Sequence, residues 1–209
     1  MQKILFFIIV CKLVFMAQNP LLSGELKVNF SDGKDINSAN LKRAYFAGGC
    51  FWCMEESFDK VKGVIKTTSG YSGGHVKNPK YKDVVKNLTG HYETLEITYD
   101  PSIINFEKLL DIYWINIDPF DSDGQFCDKG ESYKSVVFFE NNDQKKVIES
   151  SIKNIEKKFK KKVVTYVKKF KEFYMAETYH QDYYEKNFIR YLMYKKGCQR
   201  EETLNKIWG

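Results

Sequence analysis

The chain has 209 residues, 43% hydrophobic and 29% charged, with a formal net charge of +6. About 170 residues remain past a distinctive N-terminal stretch, enough for a single domain with one sizeable core, and neither an internal repeat nor a low-complexity tract divides them. The lysines concentrate in 157–171 (KKFKKKVVTYVKKFK) without accompanying arginines or a glycine-aromatic pattern, so a solvated face is expected there and nucleic acid is not an expected partner.

Residues 1–17 (MQKILFFIIVCKLVFMA) place Lys3 before an apolar run and Ala17 before a polar Gln-Asn-Pro, the pattern of a secretory signal peptide. Lys12 interrupts the run, which is short for a membrane span of about 20 apolar residues. A cleaved signal is expected, giving an exported protein of the periplasm or cell envelope without stable membrane insertion; an uncleaved N-terminal anchor is the alternative. Residues 18–40 read as a linker or flexible arm, and 41–209 as the folded domain.

Within that domain the periodicities predict a strand at 43–49, a helix at 50–61 ended by Gly63, and a strand at 64–70. A glycine-rich loop at 70–75 precedes a short helix from about Tyr81 to 87. Next come a strand at 91–99, a helix at 105–117, a loop at 118–131, a strand at 133–139, a helix at 142–161 and a strand at 163–167. From about 178 the chain is expected to be mostly helical up to Gly197. The order β-α-β-β-α-β predicts an α+β, ferredoxin-like sandwich core with extra helices and a long C-terminal tail.

The chemistry concentrates at Gly48-Gly49-Cys50-Phe51-Trp52-Cys53-Met54. Cys50 falls where a strand gives way to a helix N-terminus, whose unpaired N–H groups favour a thiolate. The two glycines allow a sharp turn that leaves the sulfur accessible, and two aromatic rings follow it. Cys50 and Cys53 form a C-x-x-C suited to disulfide exchange, although Cys53 also reads as a small buried hydrophobe. No second such pair exists and the three histidines lie far apart, so no metal site is expected. Glu93 shares a strand face with Leu95, Ile97 and Tyr99, which predicts a desolvated carboxyl with a raised pKa. Asp128 and Tyr133 in the 124–133 loop, Tyr81 after Asn78-Pro79, and His180 in a tyrosine-rich segment are further candidates, each with an ordinary structural role open to it. Cys198, after Gly197, sits where a mobile tail could deliver a second sulfur.

Five stretches in order, with the tail, resemble the A type of peptide methionine sulfoxide reductase: GGCFWCMEESF (48–58), YSGGHVKNPKYKDV (71–84), GHYETLEITYDP (90–101), DGQFCDKGESYKS (123–135), AETYHQDY (176–183) and KKGCQREETLNKIWG (195–209). The resemblance implies a domain that reduces methionine S-sulfoxide, free or in oxidised proteins, without metal or bound organic cofactor. Cys50 would be the nucleophile, with Phe51 and Trp52 walling the substrate methyl. A protonated Glu93 would supply the acid, Tyr81 and Tyr133 would bond the sulfoxide oxygen, Asp128 would approach the substrate backbone, and His180 would lie at the rim. The sulfenic acid left on Cys50 would condense with Cys53 or Cys198, and a thioredoxin-like reductant would open the disulfide. Cys198 is preferred because the first helical turn should aim Cys53 inward; Cys127 receives no role. The alternatives are a secreted thiol-disulfide exchange protein using the C-x-x-C at 50–53 and a secreted domain gripping methionine-rich peptides.

Overall fold

The computed structural model describes residues 40–209; the signal peptide and nearly all of the linker expected at the N-terminus lie outside the described residues. The domain is α+β. Six strands form one sheet in the order β7-β6-β1-β3-β2-β8: β1 Lys42–Ala47, β2 Val64–Ser72, β3 Tyr92–Tyr99, β6 Val136–Phe139, β7 Tyr166–Lys169 and β8 Phe173–Met175. A two-stranded ribbon of β4 Gly124–Gln125 and β5 Asp128–Lys129 stands apart from it. All main-sheet neighbours are antiparallel except β6 and β7. The four strands expected in the β-α-β-β-α-β order therefore pair as β6-β1-β3-β2.

Strand alternation sorts two cores. Phe46, Leu95, Ile97, Tyr99 and Val137 face three helices, α1 Phe51–Asp59, α3 Phe106–Ile115 and α4 Asn142–Phe159. Met54, Phe58, Leu109, Tyr113 and Ile148 enter the same cluster from those helices. On the opposite face Tyr45, Tyr92 and Phe138 pack beneath Phe170 and Phe173, with the Tyr45 and Phe170 rings stacked at 3.7 Å. Helix α3 starts at Asn105, whose side chain accepts the Lys108 N–H, and α4 starts in the same way at Asn141 with Gln144. The α4 sequence buries Ile148 and Ile155 and leaves its lysines on the outer face, as an amphipathic helix should.

Three expectations are corrected. The fourth and last expected strands are shorter or shifted, because Glu131–Tyr133 forms a 3-10 turn and β7 pairs only from Tyr166 onward. Strand β8 was not expected; its three residues find β2 as an edge partner, a contact far away in sequence. Finally, the C-terminal tail, expected to be helical only up to Gly197, continues into a further helix and is packed down. Helix α5 (Tyr183–Lys186), helix α6 (Phe188–Gly197) and helix α7 (Arg200–Trp208) fold onto the domain, and the Trp208 indole donates to the Ile117 carbonyl at 3.0 Å. No helix among the described residues is long and apolar enough to cross a membrane.

Candidate active site

Strand β1 ends at Ala47, and two glycines turn the chain into α1. Gly49 sits at φ +80, and a Cβ on Gly48 would meet the Met54 sulfur at 2.5 Å, so the turn requires both. Cys50 is the N-cap, with its carbonyl accepting the Cys53 and Met54 N–H groups at 3.2 and 3.4 Å. Opposite it, the Glu93 carboxylate accepts the Phe51 N–H at 3.1 Å. A carboxyl group thus lies at the start of the helix that carries the thiol. Glu93 is buried beside Leu95 and Ile97, as its strand parity required. Burial raises its proton affinity well above the carboxylate range, the Phe51 N–H opposes this, and Asp128 adds repulsion in the same direction as burial.

Cys50, Phe51, Trp52, Tyr81, Glu93, Asp128 and Tyr133 line one cleft of about 80 Å³, together with Tyr194. Glu177 positions Tyr81 by accepting its N–H at 3.0 Å, and the Tyr81 and Tyr133 hydroxyls bond each other. Burial, with Glu93 next, pushes both phenols up, so they remain donors at neutral pH. The Trp52 ring stacks on Tyr183 at 3.8 Å and its N–H donates to His180 Nδ1 at 3.2 Å. A much wider groove of about 1060 Å³, beside Lys42, Arg43, Tyr99 and Glu140, is lined by no cysteine.

Several candidate residues sit differently from expectation. Cys50 was expected to be accessible and charged; it is 5% exposed, and burial followed by its hydrogen bond to Cys53 raises its thiol well above the ordinary value. Cys53 is instead pulled down to about 6, chiefly by the Cys50 hydrogen bond, with the Arg200 cation and the Tyr191 hydroxyl helping against burial. The two thiols therefore titrate as a pair, the hydrogen bond between them easing the first ionisation against burial. Phe51 is buried against Tyr71, Val84 and Ala176, so only part of it faces the cleft. His180 is buried among Phe51, Trp52 and Tyr81 rather than at a rim, and burial lowers its pKa to about 4, keeping the ring neutral. Cys198 is not on a mobile tail. It caps α6 and forms a disulfide with Cys127, across 71 positions of sequence, leaving Cys50 and Cys53 as the free thiols among the described residues. Cys127, Asp128 and Cys198 are grouped as metal ligands would be, but the bridge consumes both sulfurs.

Sequence reasoning missed Tyr194, which donates its hydroxyl to Asp128 and stands edge-on to Trp52, and Tyr183 beneath the same indole. The signal was present: Tyr191, Tyr194 and Cys198 recur at helical spacing along α6 and turn one aromatic face to the cysteines.

Two free thiols able to exchange electrons beside a proton-holding carboxyl make this a thiol-dependent oxidoreductase. A family profile described as peptide methionine sulfoxide reductase matches residues 42–209. Among similar proteins, peptide methionine sulfoxide reductase MsrA of Bacillus licheniformis is 48% identical over 79% of this chain and 93% of its own length. MsrA 2 of Staphylococcus aureus strain MW2 is likewise 48% identical, over 79% of this chain and 95% of its own. Among solved structures, Mxr1 from Saccharomyces cerevisiae in reduced form superposes with a TM-score of 0.67 at 31% identity, covering 72% of this chain and 88% of that one. Methionine sulfoxide reductase A of Corynebacterium diphtheriae gives 0.66 at 26%, covering 72% and 77%. The chain belongs to the peptide methionine sulfoxide reductase family.

Proposed function

We propose that this protein reduces methionine S-sulfoxide, free or within oxidised proteins, to methionine, with Cys50 as nucleophile and Glu93 as acid. The observation that carries the reading is the proton-holding Glu93 carboxyl placed at the helix N-terminus that presents Cys50, in one cleft with the Tyr81 and Tyr133 hydroxyls. The substrate methyl rests against Phe51 and Trp52. Proton exchange across the Cys50–Cys53 hydrogen bond moves the shared charge onto Cys50, whose sulfur attacks the sulfoxide. Glu93 protonates the sulfoxide oxygen and the two phenols bond it; the hydroxyl then passes to the Cys50 sulfur as the substrate's sulfur–oxygen bond and the transient sulfur–sulfur bond break, releasing methionine. One thiol and one sulfoxide become one sulfenic acid and one thioether, so the atoms balance.

A second thiol then displaces water from the sulfenic acid. The distribution of sulfurs supports Cys53 for this step, since it is free and bonded to Cys50 while Cys198 is held by Cys127. Cys127 is exposed, which suits the Cys127–Cys198 bridge to exchange with an external thioredoxin-like dithiol. After one turnover, mass spectrometry of Cys53→Ser should find Cys50 as sulfenic acid, whereas Cys198→Ser should still show a Cys50–Cys53 disulfide. The reverse pattern assigns resolution to Cys198.

The β6-β1-β3-β2 pairing supports the ferredoxin-like reading of the core. The pattern of residues 1–17 supports export to the cell envelope, which N-terminal sequencing of the envelope fraction tests. The deciding assay supplies both sulfoxide epimers of a methionine peptide with dithiothreitol. Loss of one oxygen from the S epimer by the wild type, and none by Cys50→Ser, is expected. Reduction of insulin disulfides without sulfoxide turnover would instead establish a disulfide exchanger.

A further inference from the structure

Arg200 opens α7, two residues beyond Cys198, and is only 4% exposed. Its guanidinium donates to the Asn116 carbonyl at 2.5 Å and to the Met54 sulfur at 3.8 Å, and lies 4.3 Å from the Phe126 ring centre. All three partners are neutral, and among the described residues no carboxylate forms an ion pair with it. Removing a cation from water without a counter-ion costs several kcal/mol, so an unpaired buried guanidinium implies an anion nearby. Met54 follows Cys53 on the first turn of α1, and Phe126 precedes the bridged Cys127, so the guanidinium touches a chain neighbour of each cysteine pair. The acidic groups that feel it are Cys53 and Asp128.

We propose that Arg200 is a positioning residue for the reaction: its buried guanidinium is the fixed counter-ion of the thiolate formed by the Cys50–Cys53 pair. The C-terminal segment, pinned by the Cys127–Cys198 bridge, thereby supplies the charge that makes the dithiol reactive. The other groups facing the pair do not provide a cation. Glu93 and Asp128 are acids, Tyr191 and Tyr194 are phenols, and burial holds all four toward their neutral forms. Capping the C-terminal end of α3 accounts for the bond to Asn116, but a cap alone would leave the thiols indifferent to the charge. The inference deepens the proposed reductase function and rests on it for the chemistry that follows ionisation.

The test uses the full chain with its Cys127–Cys198 bridge intact, as wild type and as Arg200→Met, Arg200→Gln and Arg200→Lys. Thiolate formation is followed by ultraviolet absorbance against pH. Iodoacetamide trapping, with peptide mass mapping, separates Cys50 from Cys53. The uncharged variants should show a midpoint displaced upward by about one unit, so that below the native midpoint they trap about tenfold more slowly, while Arg200→Lys keeps most of the native rate. Gln retains a donor for the Asn116 carbonyl, so a purely structural role would leave that variant native-like, and it decides the matter should Arg200→Met fail to fold. An unmoved midpoint in a folded uncharged variant overturns the proposal. Sulfoxide turnover by the native chain is measured alongside: turnover with an unmoved midpoint sinks this inference alone, whereas a moved midpoint without turnover sinks the reductase reading.

Discussion

At Cys50 the sulfur sits on the N-cap of α1, and three residues later Cys53 faces it from the first helical turn, so the two thiols share a charge that a lone cysteine would have to carry by itself. Their acidity is a property of the pair. Glu93 is the complementary group, and its desolvation favours its proton and suits the acid role proposed for it. Because the acid form is the working form, the rate should fall as pH rises through the raised Glu93 pKa. Glu93→Gln should lower kcat by about 10²- to 10⁴-fold at neutral pH and erase that basic limb, read from a pH–rate profile. Strand parity alone exposed Glu93 as a candidate. Nothing local in FYMAETYHQDYY indicated that His180 would be buried and neutral, since that depends on Phe51 and Tyr81 arriving from elsewhere.

At the scale of elements, the β1–α1 junction shows how packing restricts the sequence. A Cβ on Gly48 would meet the Met54 sulfur and, at 2.9 Å, an Ile117 methyl, so side chains packed beneath the helix carrying Cys50 must shift. Gly48→Ala should destabilise the domain by about 1–3 kcal/mol in urea titration and slow turnover as well. Periodicity made β1, α1, β3, α3 and α4 legible, because each buries one face of its own. The short elements were less legible: β8 exists only as an edge partner of β2, and α7, beyond the helical stretch expected up to Gly197, only because α1 and α3 offer it a surface.

Across the whole molecule, the segment following β8 is clamped to the sheet by Gln181, which bonds both backbone groups of Ser69 at 2.9 Å, and to α1 by Glu55, which accepts the Asp182 N–H at 3.1 Å. Burial pushes the Glu55 carboxyl up to about 8, against the ordinary 4.5. The unfolded chain thus releases this proton before the folded one does. Stability from this group is complete below the ordinary value and declines as pH rises toward about 8, by up to about 1.4 kcal/mol per pH unit. Glu55→Gln should flatten that decline in thermal melts taken across the interval, while leaving the ionisation of the Cys50–Cys53 pair in place.

The chain's own residues singled out the proposed nucleophile, the proposed acid and the order of the main strands and helices, because a turn before a helix and an alternating strand are local patterns with local physics. Tertiary structure alone decided which sulfurs are bridged. The Cys127–Cys198 bridge and the burial of Arg200 depend on segments far apart in sequence folding to one place, whereas the C-x-x-C spacing had already set Cys50 and Cys53 on one helical turn.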